Sequence, residues 1–163
     1  MADANLEALA AHLGAELKSR GLLLATAESC TGGWIAQTVT TISGSSDWFD
    51  RGFVTYSNEA KQEMLGVNLE TLTRFGAVSE ETAREMAEGA LAKSRADIAV
   101  AVTGVAGPTG GTAAKPVGMV CFAWAREGRE IESATRRFAG DREAVRRQSV
   151  VFAIEGVLVR LGS

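Results

Sequence analysis

The segment Ser29-Cys30-Thr31-Gly32-Gly33 most constrains the fold, because it separates two apolar stretches of different kinds. A short apolar run over residues 22–27 precedes it, and Trp34-Ile35-Ala36 follows it. This order predicts a buried strand over 22–27, a tight turn, and a helix over 30–42. The first N–H groups of a helix have no intrahelical partner. We therefore expect them to hold an anion or a developing oxyanion beside a hydroxyl and a thiol.

The remaining strand and helix signals alternate along the chain. The continuous apolar run of residues 98–102 predicts a central strand buried on both faces. The other predicted elements are helices over 4–20, from Ser57-Asn58, from Ser79 and from about Asp141, a strand over 52–56, and a hairpin of 117–125 with 131–138. Strands that alternate with helices, plus one hairpin, predict an α/β fold. We expect a three-layer α/β/α sandwich with a mixed, mostly parallel sheet, in one domain over residues 1–163.

Composition excludes several classes of protein. The chain of 163 residues is 46% hydrophobic, with a formal net charge of −3, and this mildly acidic balance argues against nucleic acid as a partner. Cys30 and Cys121 lack paired spacing, so neither a disulfide framework nor a metal site is predicted. With no secretory signal and no membrane-spanning run, the expected compartment is the cytoplasm, with no membrane partner. The sequence leaves open whether the chain forms a homo-oligomer.

Ser29 and Cys30 are the candidate nucleophiles. Ser29 is interpreted either as a nucleophile or as a plain helix cap, and Cys30 either as a readily ionised thiol or as a small buried residue. The only histidine, His12, falls beside a leucine stripe and is predicted to lie on the surface. The base that serves Ser29 is therefore expected to be a lysine or a carboxylate.

Lys61 is the second candidate, in an early turn of the helix that opens at Ser57-Asn58. A cation there opposes the helix dipole, and that field, with burial, would lower its pKa. A neutral amine can take a proton from serine. A solvated surface lysine is the alternative. Tyr56, the only tyrosine, stands at the preceding strand end, where it can bond the lysine or substrate, or simply pack.

Further polar segments are candidate binding elements. Thr103-Gly104-Val105-Ala106-Gly107-Pro108 follows the central strand, and ligands of open α/β sheets bind beyond the carboxyl ends of strands. The strand ends near Ser29 and Tyr56 are expected to meet it in one crevice. Arg142 and Arg146 near a helix start form either a phosphate site or a solvated ion-pair face.

Together these segments resemble the CinA C-terminal domain family. The matching stretches follow one another through nearly the whole chain: TAESCTGG (26–33), GSSDWF (44–49), GFVTYSNEAK (52–61), GAVS (76–79), TGVAGP (103–108) and GDR (140–142). The resemblance implies hydrolysis of nicotinamide mononucleotide, a pyridine mononucleotide, to nicotinate mononucleotide and ammonia, without a metal or a cofactor.

By the same resemblance Ser29 is the expected nucleophile and Lys61 the base, with Tyr56 beside them. The expected substrate-binding residues are Cys30, Thr31, Gly32, Gly33, Thr103, Gly104, Gly107 and Arg142. Two alternatives stay open. One is a non-catalytic nucleotide-binding or partner-binding module on the same fold, and the other is a cysteine enzyme that uses Cys30.

Overall fold

The structure is a computed structural model that describes residues 4–162. Strands and helices alternate along most of this range. The elements are α1 (Ala4–Arg20), β1 (Leu24–Glu28), α2 (Trp34–Thr40), β2 (Phe49–Val54), α3 (Asn58–Leu65), α4 (Leu69–Phe75), α5 (Glu80–Ala92), β3 (Ile98–Gly104), β4 (Met119–Arg126), β5 (Glu132–Arg137) and α6 (Arg142–Leu161). No helix in the described range combines the length and the apolar character needed to cross a membrane.

Five strands of the described range form one sheet in the order β2-β1-β3-β4-β5. Strand β1 runs parallel to both β2 and β3, whereas β4 is antiparallel to β3 and to β5. Strand β5 therefore points the same way as the first three strands. The predicted mixed, mostly parallel sheet is confirmed, and the carboxyl ends of β1, β2 and β3 lie along one edge of it.

The two faces of the sheet carry side chains of different sizes. Large apolar residues of β1, β3 and β4 pack with α1, α2 and α6, namely Leu24, Ile98, Val100, Val102, Val120, Phe122 and Trp124. Small residues of the same strands pack with α3, α4 and α5, namely Ala25, Ala27, Ala99, Ala101, Cys121, Ala123 and Ala125. Helices on both faces of one sheet confirm the three-layer sandwich.

Close packing within the second helical layer depends on Gly89 of α5. A Cβ atom at that position would lie 1.9 Å from the backbone oxygen of Leu65, the last residue of α3. The missing side chain lets α5 approach α3, which carries Lys61. The small residues of α5 and of the sheet face therefore help to set the position of that lysine.

Some predicted boundaries were wrong. Helix α2 begins at Trp34 rather than residue 30, because Gly32 and Gly33 take φ values of 59° and 103° that continue a turn. Strand β2 covers residues 49–54 rather than 52–56. Helix α4 was not predicted, since its seven residues are too few to show a clear helical period.

Candidate active site

A cleft of about 300 Å³ opens beyond the carboxyl ends of the parallel strands. Eight residues predicted for the site line it: Ser29, Cys30, Tyr56, Lys61, Thr103, Gly104, Gly107 and Arg142. The predicted binding residues Thr31, Gly32 and Gly33 are not among its lining residues. Seven lining residues were not predicted as site residues: Asn58, Ala77, Val78, Val105, Ala106, Thr109 and Gly110. The first three lie in GFVTYSNEAK and GAVS, two of the stretches that match the family. Membership of those stretches could have identified them as site residues.

Ser29 and Lys61 form the centre of this cleft. Ser29 follows β1 directly, and Lys61 lies on α3 with its side chain directed back toward the strand end. The lysine Nζ atom is 3.1 Å from Ser29 Oγ and 3.0 Å from the backbone oxygens of both Thr55 and Tyr56. Lys61 is only 1% exposed and Ser29 7%. The polar end of a buried lysine therefore meets one hydroxyl and two carbonyl oxygens.

This environment favours a neutral amine on Lys61. Burial lowers the pKa of Lys61 below its ordinary value, because the charged form loses its hydration. Within residues 4–162 no carboxylate forms an ion pair with Lys61. A neutral amine has two N–H donors, which match the two carbonyls, and one lone pair, which can accept the Ser29 hydroxyl proton. The arrangement suits a general base.

Tyr56 contributes its backbone rather than its phenol to the pair. Its carbonyl oxygen accepts from Lys61, and Ser29 Oγ lies 3.4 Å from the same oxygen. The side chain is 64% exposed at the cleft, and no hydrogen bond of its hydroxyl is found within the described range. The predicted catalytic role of the Tyr56 side chain therefore rests on contacts that a substrate would make.

Cys30 is poorly suited to act as a nucleophile. Its side chain is 6% exposed. Burial raises the pKa of the Cys30 thiol to about 12, and the nearby cations Arg146 and Lys61 offset this only in part. A thiolate, not a thiol, attacks carbonyl carbon. Of the two interpretations of Cys30, the structure agrees with the small buried residue, because Cys30 lies among core side chains.

Glu28 occupies the start of α2, where an anion site was expected. Its carboxylate accepts from the N–H of Ile35 at 2.8 Å, from the N–H of Ala36 at 3.0 Å, and from the Thr31 hydroxyl at 2.6 Å. Glu28 is 1% exposed, and burial raises its pKa. The N–H groups of Ile35 and Ala36 are therefore not available to a ligand, since a buried carboxylate already takes them. An acidic residue at the end of an apolar strand could have predicted that a buried carboxylate binds the start of α2.

The opposite wall of the cleft follows β3. The Thr103 hydroxyl donates to the backbone oxygen of Ala77 at 2.8 Å, which joins this wall to the segment before α5. Gly104 allows close approach, because a Cβ there would lie 2.8 Å from the backbone oxygen of Met119. These contacts bring the strand end and the glycine-rich loop to the cleft.

Arg142 and Arg146 have different partners although they are four residues apart on α6. Arg142 Nη1 donates to the backbone oxygen of Gly107 at 2.8 Å, and Arg142 lines the cleft. Arg146 instead donates from Nε to Cys30 O at 3.1 Å and from Nη2 to Thr31 O at 3.0 Å. Only Arg142 of this pair keeps a place on the cleft wall as a candidate anion contact.

The described residues offer no metal site. Within residues 4–162, no three His, Cys, Asp or Glu side chains lie together in a way that could hold a metal ion. His12 is exposed on α1, as predicted, and is not a cleft residue.

Comparisons with known proteins agree with this architecture. A model of the CinA C-terminal domain matches residues 6–161. The nicotinamide-nucleotide amidohydrolase PncC of Escherichia coli K12 is 55% identical over 157 residues, which cover 95% of this chain and 94% of that protein. PncC of Pseudomonas putida is 52% identical over 150 residues, 92% of this chain and 93% of the relative. The crystal structure of the competence/damage inducible protein CihA from Agrobacterium tumefaciens superposes with a TM-score of 0.95 at 48% identity, covering 100% of this chain and 99% of that one.

Proposed function

The chain belongs to the CinA C-terminal domain family, and we propose that it hydrolyses the carboxamide of nicotinamide mononucleotide through Ser29 and Lys61. The products are nicotinate mononucleotide and ammonia. The names of relatives at 52–55% identity over most of their length support the amidohydrolase activity. The observation that carries the mechanism is the 3.1 Å separation of Lys61 Nζ and Ser29 Oγ.

The first half of the proposed reaction acylates Ser29. Lys61 Nζ takes the hydroxyl proton as Ser29 Oγ bonds to the carboxamide carbon, and the carbonyl electron pair moves onto its oxygen. When the carbonyl re-forms, the C–N bond breaks. The proton on Lys61 passes to the leaving nitrogen, which departs as ammonia. The nicotinoyl group is then an ester of Ser29.

The second half returns the free enzyme. A water molecule gives its proton to Lys61 Nζ and bonds to the ester carbon. Collapse of this intermediate breaks the bond to Ser29 Oγ, which recovers its proton from Lys61. Both proton transfers require a neutral Lys61 at the start of each half, and burial favours this form because it lowers the pKa of the amine.

The cleft wall offers complementary contacts for the rest of the nucleotide. Arg142 presents a guanidinium, one nitrogen of which already binds Gly107 O. We assign it to the 5′-phosphate, since guanidinium groups bind phosphate oxygens through paired hydrogen bonds. The exposed ring of Tyr56 is assigned to the pyridinium face, because a cationic ring is attracted to an aromatic face.

Ammonia release by the purified protein tests the proposal. Nicotinamide mononucleotide is added, ammonia is followed with a coupled dehydrogenase, and nicotinate mononucleotide is identified by chromatography. Equal molar yields of the two products are expected, with none from Ser29→Ala. Binding of the nucleotide without ammonia release would instead establish a non-catalytic binding module.

A further inference from the structure

The turn that carries Ser29 is held by two charged side chains that take no part in the proton transfers. Glu28 accepts from the N–H groups of Ile35 and Ala36 in the first turn of α2. Arg146 binds the two carbonyl oxygens of Cys30 and Thr31, although it lies 116 positions after Cys30. Its guanidinium also packs 5.4 Å from the centre of the Trp34 ring. Three segments of the chain therefore converge on this turn.

Hydrogen bonds to the carbonyl oxygens of Cys30 and Ser29 fix the direction of the two N–H groups that belong to the same peptides. In a trans peptide the C=O and the N–H point to opposite sides. Because Arg146 binds Cys30 O, the Thr31 N–H of the same peptide points away from the guanidinium. Ser29 O accepts from the N–H of Gly32 at 3.1 Å, so the Cys30 N–H of that peptide points away from the interior of the turn.

The same two N–H groups lack a backbone acceptor, whereas neighbouring donors are taken. The N–H of Ser29 donates to Val102 O at 3.0 Å, that of Trp34 donates to Thr31 O at 3.1 Å, and Glu28 accepts from those of Ile35 and Ala36. No backbone acceptor within residues 4–162 is found for the N–H of Cys30 or of Thr31. They are the two backbone donors that directly follow the nucleophile, and of the two residues Cys30 lines the cleft whereas Thr31 is fully buried.

We propose that Arg146 is a positioning residue that holds the turn after Ser29 so that the N–H of Cys30, the turn residue that lines the cleft, donates to the oxyanion. That oxyanion forms when Ser29 Oγ bonds to the carboxamide carbon, its proton moves to Lys61 Nζ, and the carbonyl electron pair moves onto oxygen. The guanidinium also polarises the Cys30 N–H through the Thr31–Gly32 peptide, because it binds the oxygen of that peptide and the N–H of the same peptide donates to Ser29 O. This inference rests on the proposed amide hydrolysis.

The variant Arg146→Lys tests this role, because lysine keeps the charge but replaces the planar guanidinium, whose Nε and Nη2 each bind one carbonyl oxygen, with a single nitrogen. We expect kcat to fall about 10- to 100-fold and KM to stay within about threefold, since the oxyanion exists only in the transition state. Arg136→Lys is the matched control. Arg136 packs over the Phe152 ring of α6 at 4.8 Å and is not a cleft residue, so kcat should not change.

A probe of the oxyanion position separates this role from a general loss of structure. The pyridine-3-carbaldehyde analogue of the nucleotide adds the Ser29 O–H across its carbonyl, and its oxygen then takes the place of the oxyanion. Its affinity for Arg146→Lys should fall by about the same factor as kcat. Affinity for nicotinate mononucleotide should stay within about threefold, because that product forms no such adduct.

The outcomes for the proposed function and for Arg146 are distinct. A wild-type protein that releases no ammonia overturns the function before Arg146 is compared. A kcat for Arg146→Lys within about threefold of the wild type overturns the positioning role, as does a lower kcat with unchanged aldehyde affinity. Thermal unfolding is measured for each variant. Should Arg146→Lys not fold, Arg146→Gln, which keeps amide N–H donors, is judged by the same criteria.

Discussion

The Nζ atom of Lys61 lies 3.1 Å from the Oγ atom of Ser29, although 32 positions separate the two residues in the chain. Two backbone oxygens hold the amine from other directions, at 3.0 Å each. These oxygens orient the lone pair of the neutral amine toward the hydroxyl. The pair is thereby placed for proton transfer without a histidine.

Ser29→Ala should abolish turnover and leave folding and nucleotide binding nearly intact, because it removes only the attacking oxygen. A loss of several orders of magnitude in kcat is typical for a nucleophile. Cys30→Ala is the neighbouring control and should retain most activity, since its thiol has a pKa of about 12. Steady-state ammonia release measures both. An inactive Cys30→Ala beside an active Ser29→Ala would assign the reaction to the thiol.

Lys61→Met should be nearly inactive, and Lys61→Arg should not restore activity. Arginine supplies a positive charge but cannot act as a base at accessible pH. The wild-type kcat should also fall as the pH drops through the lowered lysine pKa and the amine becomes charged. Ammonia release over a pH series measures this. An arginine variant with a near-normal rate would show that Lys61 supplies charge alone.

The free energy of unfolding should depend on pH through Lys61. Its pKa in the folded protein lies below 10.5, so between these two values the unfolded chain binds more protons. Stability contributed by this group therefore rises with pH across that window and is lost as the pH falls through the folded-state pKa. Urea unfolding from about pH 7 to about pH 10 should show the wild type gaining stability relative to Lys61→Met. Parallel curves would mean that the lysine pKa is unshifted.

Arg142→Ala should raise KM for nicotinamide mononucleotide by tens-fold, because a charge-assisted contact to phosphate is worth roughly 1.5–3 kcal/mol. The phosphate-free riboside lacks that group, so its slow turnover should barely change. Measuring KM for the nucleotide and for the riboside, on the wild type and on Arg142→Ala, isolates the part of the loss that depends on the phosphate. Arg142 also binds Gly107 O, and equal losses on the two substrates would assign it to holding the loop.

Glu28→Gln should destabilise the protein by about 1–3 kcal/mol, because an amide NH₂ would face backbone N–H donors in a buried site. Glu81→Gln is a matched control at the start of α5, where the side chain is exposed and the change should be too small to measure. Urea unfolding compares the two. Similar small effects at both positions would show that the Glu28 carboxylate is not needed for the start of α2.

Much of the fold was predictable from local patterns. The apolar run at residues 98–102, the hairpin and the helix caps gave the order of the elements, because periodicity and capping are properties of short segments. The start of α2 was not predictable. Gly32 and Gly33 allow either a helix or a turn, and the choice of a turn brings the α2 N–H groups to the Glu28 carboxylate.

The sequence by itself determined which chemical groups are available to the cleft: the hydroxyl of Ser29, the amine of Lys61 and the guanidinium of Arg142. Tertiary structure alone decided their environments. Burial lowers the pKa of Lys61 and raises that of Cys30. Arg146 binds the Ser29 turn although it shares a helix face with Arg142. The reason is that hydration and hydrogen-bond partners come from distant segments, and a local pattern does not record them.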